Sequence, residues 1–145
     1  MSEVAAGMSE ARDFQLDARL AADSVFVADG PLSQVRLMDD SRFPWLLLVP
    51  RVADASEWID LDGGQQRLLL AEINQLSQLL RVEPGVAKLN IGALGNIVQQ
   101  LHVHLVGRHP GDAAWPGPVW GSGSAQRFDP DTLQQRVAAW AQRLR

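Results

Sequence analysis

The amino-acid sequence predicts an α+β fold in which a mainly antiparallel sheet carries one long helix and a C-terminal helix. Four features of the sequence support this prediction. Short β-compatible runs follow one another near the N-terminus, and a long amphipathic segment comes next. A second group of β-compatible runs then precedes a final helical stripe. The 145 residues fit one compact domain, and residues 1–12 are expected to be flexible because they hold few apolar side chains.

The N-terminal half is predicted to contain one short helix and three strands. A helix is expected around residues 14–22, and strands at 25–28 and 35–38 are joined by a turn at 29–31. The apolar run 45–49 follows one proline and is ended by another, which predicts a buried strand.

The clearest predicted helix covers residues 61–81. Its apolar residues recur at spacings of four, three and four, which places Leu69, Ile73, Leu76 and Leu80 on one face. Glu83, Pro84 and Gly85 end the helix. Two further strands are predicted at 87–93 and 97–108, with a turn at 94–96 between them.

The C-terminal part is predicted to be an irregular loop followed by a helix. Residues 110–124 are rich in glycine and proline, and Trp115 and Trp120 are expected to hold this loop against the protein. A helix is predicted over 129–144 because Asp129 suits the N-cap and Pro130 the first helical position.

Composition excludes several classes of protein. The net charge of −4 offers no basic surface for polymeric nucleic acid. The absence of cysteine excludes disulfides, thiolate catalysis and cysteine-containing zinc sites. No window approaches 18 consecutive apolar residues, and the N-terminus lacks the features of a secretory signal, so we expect a cytoplasmic protein without a membrane span.

The segment 99–108 carries the residues best suited to chemistry. Because strand side chains alternate between faces, one polar face is predicted to present Gln100, His102, His104, Val106 and Arg108. From the local pattern alone, three interpretations stay open: surface histidines, a metal site, or catalysis by an imidazole. A metal site would need a third ligand, and Asp39 or Asp40 could supply it, since His109 falls on the opposite face.

The wider context of these histidines resembles the histidine triad family. Residues 90–108 are similar to the family signature, which reads approximately N-x-G-x-x-x-G-Q-[ST]-V-x-H-x-H-x-H-φ-φ-P-R. Residues 45–51 look like the family's earlier strand, and Trp115 and Pro116 lie where several members carry these residues near the substrate. The resemblance covers about residues 14–120 and agrees with the predicted order of elements.

The resemblance implies nucleotidyl transfer to a histidine. The middle histidine of the family's triad attacks the α-phosphorus of a nucleotide and forms a nucleotidyl-histidine intermediate, and His102 matches it. His104 matches the last histidine, which implies charge stabilisation and proton transfer. Gln100 stands at the first triad position, where it can orient neighbours but cannot carry a proton.

The resemblance also implies nucleotide-binding residues, and further positions depart from the family pattern. Asp39 matches a residue that holds the ribose hydroxyls, Asn90 and Asn96 are candidates for contacts with the phosphate or the leaving group, and Trp115 is a candidate wall. Trp120 and Gly92 are expected to be structural, and Arg108 to be a solvated strand end. Trp45 replaces a histidine common in the family, Asn96 replaces the usual glutamine, and Ile97 replaces a serine or threonine.

Three functions follow as hypotheses. The first is a nucleotide hydrolase or nucleotidyl transferase that acts through His102 without a cofactor or metal, on a small nucleotide substrate. The second is a nucleotide-binding module that has lost catalysis through the changes at Gln100 and Trp45. The third is a metal-binding protein that uses His102 and His104. Family members commonly form homodimers, and we expect the same here.

Overall fold

The computed structural model describes residues 13–145, so the predicted flexible segment 1–12 lies outside the described residues. Its strands are β1 (Ser24–Asp29), β2 (Ser33–Met38), β3 (Trp45–Pro50), β4 (Lys88–Gly92) and β5 (Val103–Arg108). Its helices are α1 (Ala18–Asp23), α2 (Gly63–Arg81) and α3 (Pro130–Arg143), and a 3₁₀ turn covers Trp58–Asp60.

A five-stranded sheet in the order β1-β2-β3-β5-β4 forms the centre of the fold. Every neighbouring pair is antiparallel. The sheet and its helices confirm the predicted α+β class.

The two faces of the sheet have different coverings, and β3 shows this most clearly. Leu46 and Leu48 belong to a core that includes residues of α2 and α3. Leu47 and Val49 point to the other face, into a second cluster that includes Leu20 of α1. Because both faces are covered, every residue of β3 is buried, as its apolar run predicts.

Side-chain caps fix the starts of the two longer helices, and one of these caps was predicted. The Asp62 carboxylate accepts from the backbone N–H of Gln65 at 2.8 Å, and the Gln65 side chain accepts from the N–H of Asp62 at 2.9 Å, which fixes the start of α2. The predicted cap at Asp129 is confirmed, since its carboxylate accepts from the N–H of Thr132 at 3.0 Å. No helix within residues 13–145 is long and apolar enough to cross a membrane.

Two predicted boundaries are wrong. The first helix begins at Ala18 rather than near residue 14, because the Asp17 side chain caps it there. The predicted strand 97–108 begins only at Val103, the first residue of this segment that pairs with β3. The residues before Val103 follow a different path, on which the N–H of Leu101 donates to the carbonyl of Ala55 at 2.9 Å.

Candidate active site

His102 lies just before β5 with its ring almost entirely buried, at 6% exposure. Its Nδ1 is 2.7 Å from the backbone carbonyl oxygen of Gln100. A carbonyl oxygen can only accept, so Nδ1 carries a proton, and in the neutral ring Nε2 then carries a free lone pair. Among residues 13–145 no group donates to Nε2, and the ring lines a cavity. His102 therefore presents an unprotonated nitrogen to that cavity.

His104, in β5, has the opposite tautomer. The indole N–H of Trp45 donates to His104 Nδ1 at 3.0 Å, so the proton of the neutral ring must be on Nε2. The rings of His102 and His104 meet edge to face, with centroids 4.8 Å apart. The two histidines thus place a lone pair and an N–H donor side by side.

The cavity that His102 and His104 line has a volume of about 630 Å³, which is within the usual range for a small-molecule site. We call it the His102 cavity. Its wall is formed by α1, the chain after β2, and two loops around residues 94–98 and 119–127. Apolar groups, among them Leu20, Met38 and Val119, alternate there with charged side chains.

Most of the charged side chains of the wall, apart from Arg19, belong to ion pairs. Arg42 donates from Nε and Nη2 to the Asp40 carboxylate at 3.0 and 2.8 Å, and from Nη1 to the carbonyl of Ser122 at 2.7 Å. Burial alone would raise the pKa of Asp40, but the hydrogen bonds from Arg42 hold this pKa below its ordinary value. Arg127 contacts Asp39 at 3.1 Å and Asp23 at 3.5 Å.

Two predicted binding residues, Asp39 and Asn96, lie on this wall. The Asp39 carboxylate already accepts from the N–H of Phe128 at 3.0 Å and from Arg127. Each carboxylate oxygen has more than one acceptor position, so Asp39 can still accept from a ligand hydroxyl. Asn96 follows Gly95, whose φ of 68° forms the predicted turn.

Gln100 does not lie where the strand alternation predicts. Its amide oxygen accepts from the N–H of Asp17 at 2.8 Å, and its amide nitrogen donates to the carbonyl of Gln15 at 2.8 Å. The side chain therefore lines a separate depression near Ser56 and not the His102 cavity. The contribution of Gln100 to the histidines comes from its backbone carbonyl.

Arg108, Asn90 and Trp115 form a structural group outside the His102 cavity, contrary to the predicted roles. Arg108 is not solvated but 1% exposed, and it donates to both carboxylate oxygens of Asp112 at 2.8 and 2.9 Å. Its Nη1 donates to the side-chain oxygen of Asn90 at 2.8 Å. Its guanidinium also lies 5.7 Å from the ring centroid of Trp115.

The residues that the sequence reasoning missed are aromatic. Trp120, expected to be structural, lines the cavity with its ring 5.4 Å from that of His104. Trp45 departs from the family pattern at its position, and its indole is the hydrogen-bond partner of His104. The alternation of side chains within β3 places Trp45 on the same face of the sheet as Leu47 and Val49. This pattern in the sequence could have indicated that Trp45 lies on that face.

A metal site would need more ligands than the histidine pair supplies. Among residues 13–145 no three His, Asp or Glu side chains are grouped so that they could hold a metal ion. In addition, the lone pair of His104 Nδ1 is already used by the Trp45 N–H.

Comparison with known proteins identifies the family. The family model described as HIT domain matches residues 19–111 of the chain. The chain belongs to the HIT family. A HIT relative of known structure from Bradyrhizobium japonicum, described as a histidine triad protein, is 45% identical with a TM-score of 0.88. The alignment covers 92% of this chain and 100% of that protein.

Two further histidine triad proteins have similar structures. The one from Marinobacter aquaeolei is 43% identical with a TM-score of 0.87, over 92% of this chain and 96% of that protein. The one from Sinorhizobium meliloti is 46% identical with a TM-score of 0.83, over 86% and 93%. No functionally curated protein matches the chain. HIT proteins are generally nucleotide-binding hydrolases or transferases.

The protonation of His104 gives this HIT protein an expected pH dependence of stability. Burial, and to a lesser extent repulsion from His102, lowers the pKa of His104 to about 3. The unfolded chain, with an ordinary imidazole, binds more protons than the folded one between pH 6.5 and 3, so this contribution to stability is lost as the pH falls through that range. We expect His104 to lower the free energy of unfolding by about 2 kcal/mol between pH 7 and pH 5.

Urea unfolding at the two pH values measures this loss, and His104→Gln provides the reference because it lacks the titrating group. The decrease between pH 7 and pH 5 should be smaller in His104→Gln by about 2 kcal/mol. Equal decreases in both proteins would contradict the buried neutral state of His104.

Proposed function

We propose that this protein is a nucleotide hydrolase or nucleotidyl transferase that acts at an α-phosphate through a covalent nucleotidyl-His102 intermediate. The observation that carries the proposal is the hydrogen bond from His102 Nδ1 to the Gln100 carbonyl, which leaves the Nε2 lone pair facing the cavity. An imidazole held in this tautomer is a nucleophile at neutral pH without a separate base.

The neighbouring groups suit a phosphoryl centre. His104 Nε2–H has no acceptor among residues 13–145, and it can donate to a phosphoryl oxygen as negative charge develops there. The carboxylate of Asp39 can accept from ribose hydroxyls, and Asn96 can donate from its amide. These roles, with His102 as nucleophile, are part of the proposal.

The reaction proceeds in two displacements. His102 Nε2 forms a bond to the α-phosphorus as the leaving group departs, and a water molecule or another acceptor then displaces the nucleotidyl group from His102. Covalent catalysis of this kind divides one difficult displacement into two easier ones.

The test is to incubate the protein with adenosine and guanosine polyphosphates, quench the reaction with denaturant, and locate any nucleotidyl group by peptide mass spectrometry. Attachment at His102 is expected, and it should persist in the presence of EDTA because the proposal involves no metal. Attachment at His104 or His109 instead would contradict the assignment of the nucleophile.

A nucleotide-binding module without turnover is the second candidate, and one observation favours it. The Gln100 amide is held by the backbone of residues 15 and 17, so the Gln100 side chain does not take the place of the first triad histidine in the cavity. This candidate predicts saturable nucleotide binding, measured by calorimetry, with neither adduct nor product.

We also propose a homodimer and a cytoplasmic location. Within residues 13–145, β4 is an edge strand of the sheet, and Ile91 within it is 48% exposed. An unpaired edge with an exposed apolar side chain is suited to contact with a second copy. Light scattering of the purified protein measures the oligomeric state.

A further inference from the structure

The hydrogen bond between Trp45 and His104 restricts the protonation state of His104. An indole nitrogen is a donor and never an acceptor, so the bond of 3.0 Å to His104 Nδ1 exists only while that nitrogen is unprotonated. Trp45 is 7% exposed and lies in β3 opposite Val106 of β5, so the strand pairing holds the indole in place. Protonating His104 would require this bond to break.

The other aromatic rings around His104 also disfavour its protonation. Trp120 lies edge-on at 5.4 Å between ring centroids and His102 at 4.8 Å. Burial among these rings lowers the pKa of His104 to about 3. In the neutral range His104 therefore donates a hydrogen bond from Nε2 but has no dissociable proton to give to a leaving group.

No other described side chain that lines the cavity is suited to give a proton to the leaving group. The described wall holds three carboxylates, and each is paired with an arginine: Asp40 with Arg42, and Asp39 and Asp23 with Arg127. The sequence contains no cysteine and no tyrosine. Its single lysine, Lys88, lies in β4 opposite Arg108 and outside the cavity.

From this arrangement we propose that Trp45 is a positioning residue that fixes His104 as a neutral donor, and that the site therefore favours leaving groups that depart as weakly basic anions. Nucleoside polyphosphates and nitrophenolates are of this kind, whereas alkyl amines and alkoxides are not. The inference rests on the nucleotidyl transfer proposed above and names its substrate class.

The proposed steps balance without a general acid. The lone pair of His102 Nε2 forms the N–P bond while the P–O bond to the leaving group breaks, and both electrons of that bond leave with the oxygen. Water then attacks phosphorus, the N–P electron pair returns to Nε2, and one water proton passes to solvent. An alkyl amine would instead need a proton on its nitrogen as the P–N bond breaks, and the cavity supplies none.

The experiment compares two substrates that share an adenosine 5′-phosphoryl group, the 4-nitrophenyl ester and an N-alkyl phosphoramidate. The kcat/KM of the wild-type protein is expected to be at least about 100-fold higher for the ester, the lower range of what a general acid contributes. Trp45→His places a protonatable ring beside His104 and should reduce this ratio about tenfold. Trp58→Phe, at an exposed tryptophan outside the cavity, is the matched control and should leave the ratio unchanged.

A spectroscopic measurement separates positioning from a purely structural role. The ¹⁵N chemical shifts of His104 should show an unprotonated Nδ1 in the wild-type protein and a mixture of tautomers in Trp45→Phe. A wild-type ring protonated at Nδ1 would overturn the proposal even if no Trp45 variant folds. Equal kcat/KM for both substrates would also overturn it while leaving nucleotidyl transfer intact, whereas the absence of a His102 adduct with either substrate would overturn the proposed function itself.

Discussion

Replacing His102 by alanine is expected to reduce the release of nucleoside monophosphate by at least about 10⁴-fold, as removal of a covalent nucleophile does in other enzymes. The residual imidazole of His104 cannot substitute, because its Nδ1 lone pair is used by Trp45 and its Nε2 carries the proton. The measurement is the steady-state rate of monophosphate formation from an adenosine polyphosphate.

The fold of His102→Ala should remain intact, so the loss of activity can be assigned to chemistry. The substitution removes one hydrogen bond to the Gln100 carbonyl, which is worth about 1 kcal/mol. His109→Ala is the matched control, since His109 is exposed and outside the cavity, and it should retain full activity. Activity of His102→Ala within tenfold of the wild type would exclude His102 as the nucleophile.

The largest effect on stability is expected from Arg108→Met. Arg108 and Asp112 form an ion pair in which the side chains are 1% and 2% exposed. The hydrogen bonds from Arg108, opposed by burial, hold the pKa of Asp112 far below its ordinary value. Methionine removes the cation and leaves the carboxylate buried without its partner, which costs about 3–5 kcal/mol.

Urea unfolding measures this cost, and Arg51→Met is the matched control. Arg51 also forms an ion pair, with Asp29 at 2.9 Å, but the two side chains are 31% and 59% exposed. Water screens such a pair, so Arg51→Met should cost about 1 kcal/mol or less. Equal losses in the two variants would contradict the structural importance assigned to the burial of the Arg108–Asp112 pair.

The elements of this fold were predictable because local signals determine them. The continuous apolar run bounded by prolines defines β3, and Asp129 with Pro130 defines the start of α3. The alternation in β5 correctly separates Leu105, beneath α2, from His104 on the face of the cavity. These patterns depend only on residues close together in the sequence.

The positions of Gln100 and Asn90 were not predictable in the same way, because distant residues determine them. Gln100 is captured by the backbone of residues 15 and 17, which are 85 and 83 positions away. Asn90 is held by Arg108 across the β4–β5 pair. The alternation of side chains between faces holds only within a strand, and the segment before Val103 is not part of β5.

The positions of the two tryptophans in the loop after β5 were likewise not predictable from the sequence. Trp115 packs near the Arg108 guanidinium, whereas Trp120 reaches the cavity and meets the His104 ring. The irregular loop that carries them has no periodicity from which a face could be assigned. Which ring faces the site depends on the buried charge of Arg108 and on tertiary packing.

The most direct test of the central claim is a single-turnover time course in which the protein is in excess over an adenosine polyphosphate and the amount of adenylyl-His102 is followed by mass spectrometry. The account predicts an adduct on His102 that rises and then decays at the rate at which adenosine monophosphate appears. Release of adenosine monophosphate at every time point without any adduct on His102, under conditions where a synthetic phosphohistidine peptide survives the quench, would contradict it.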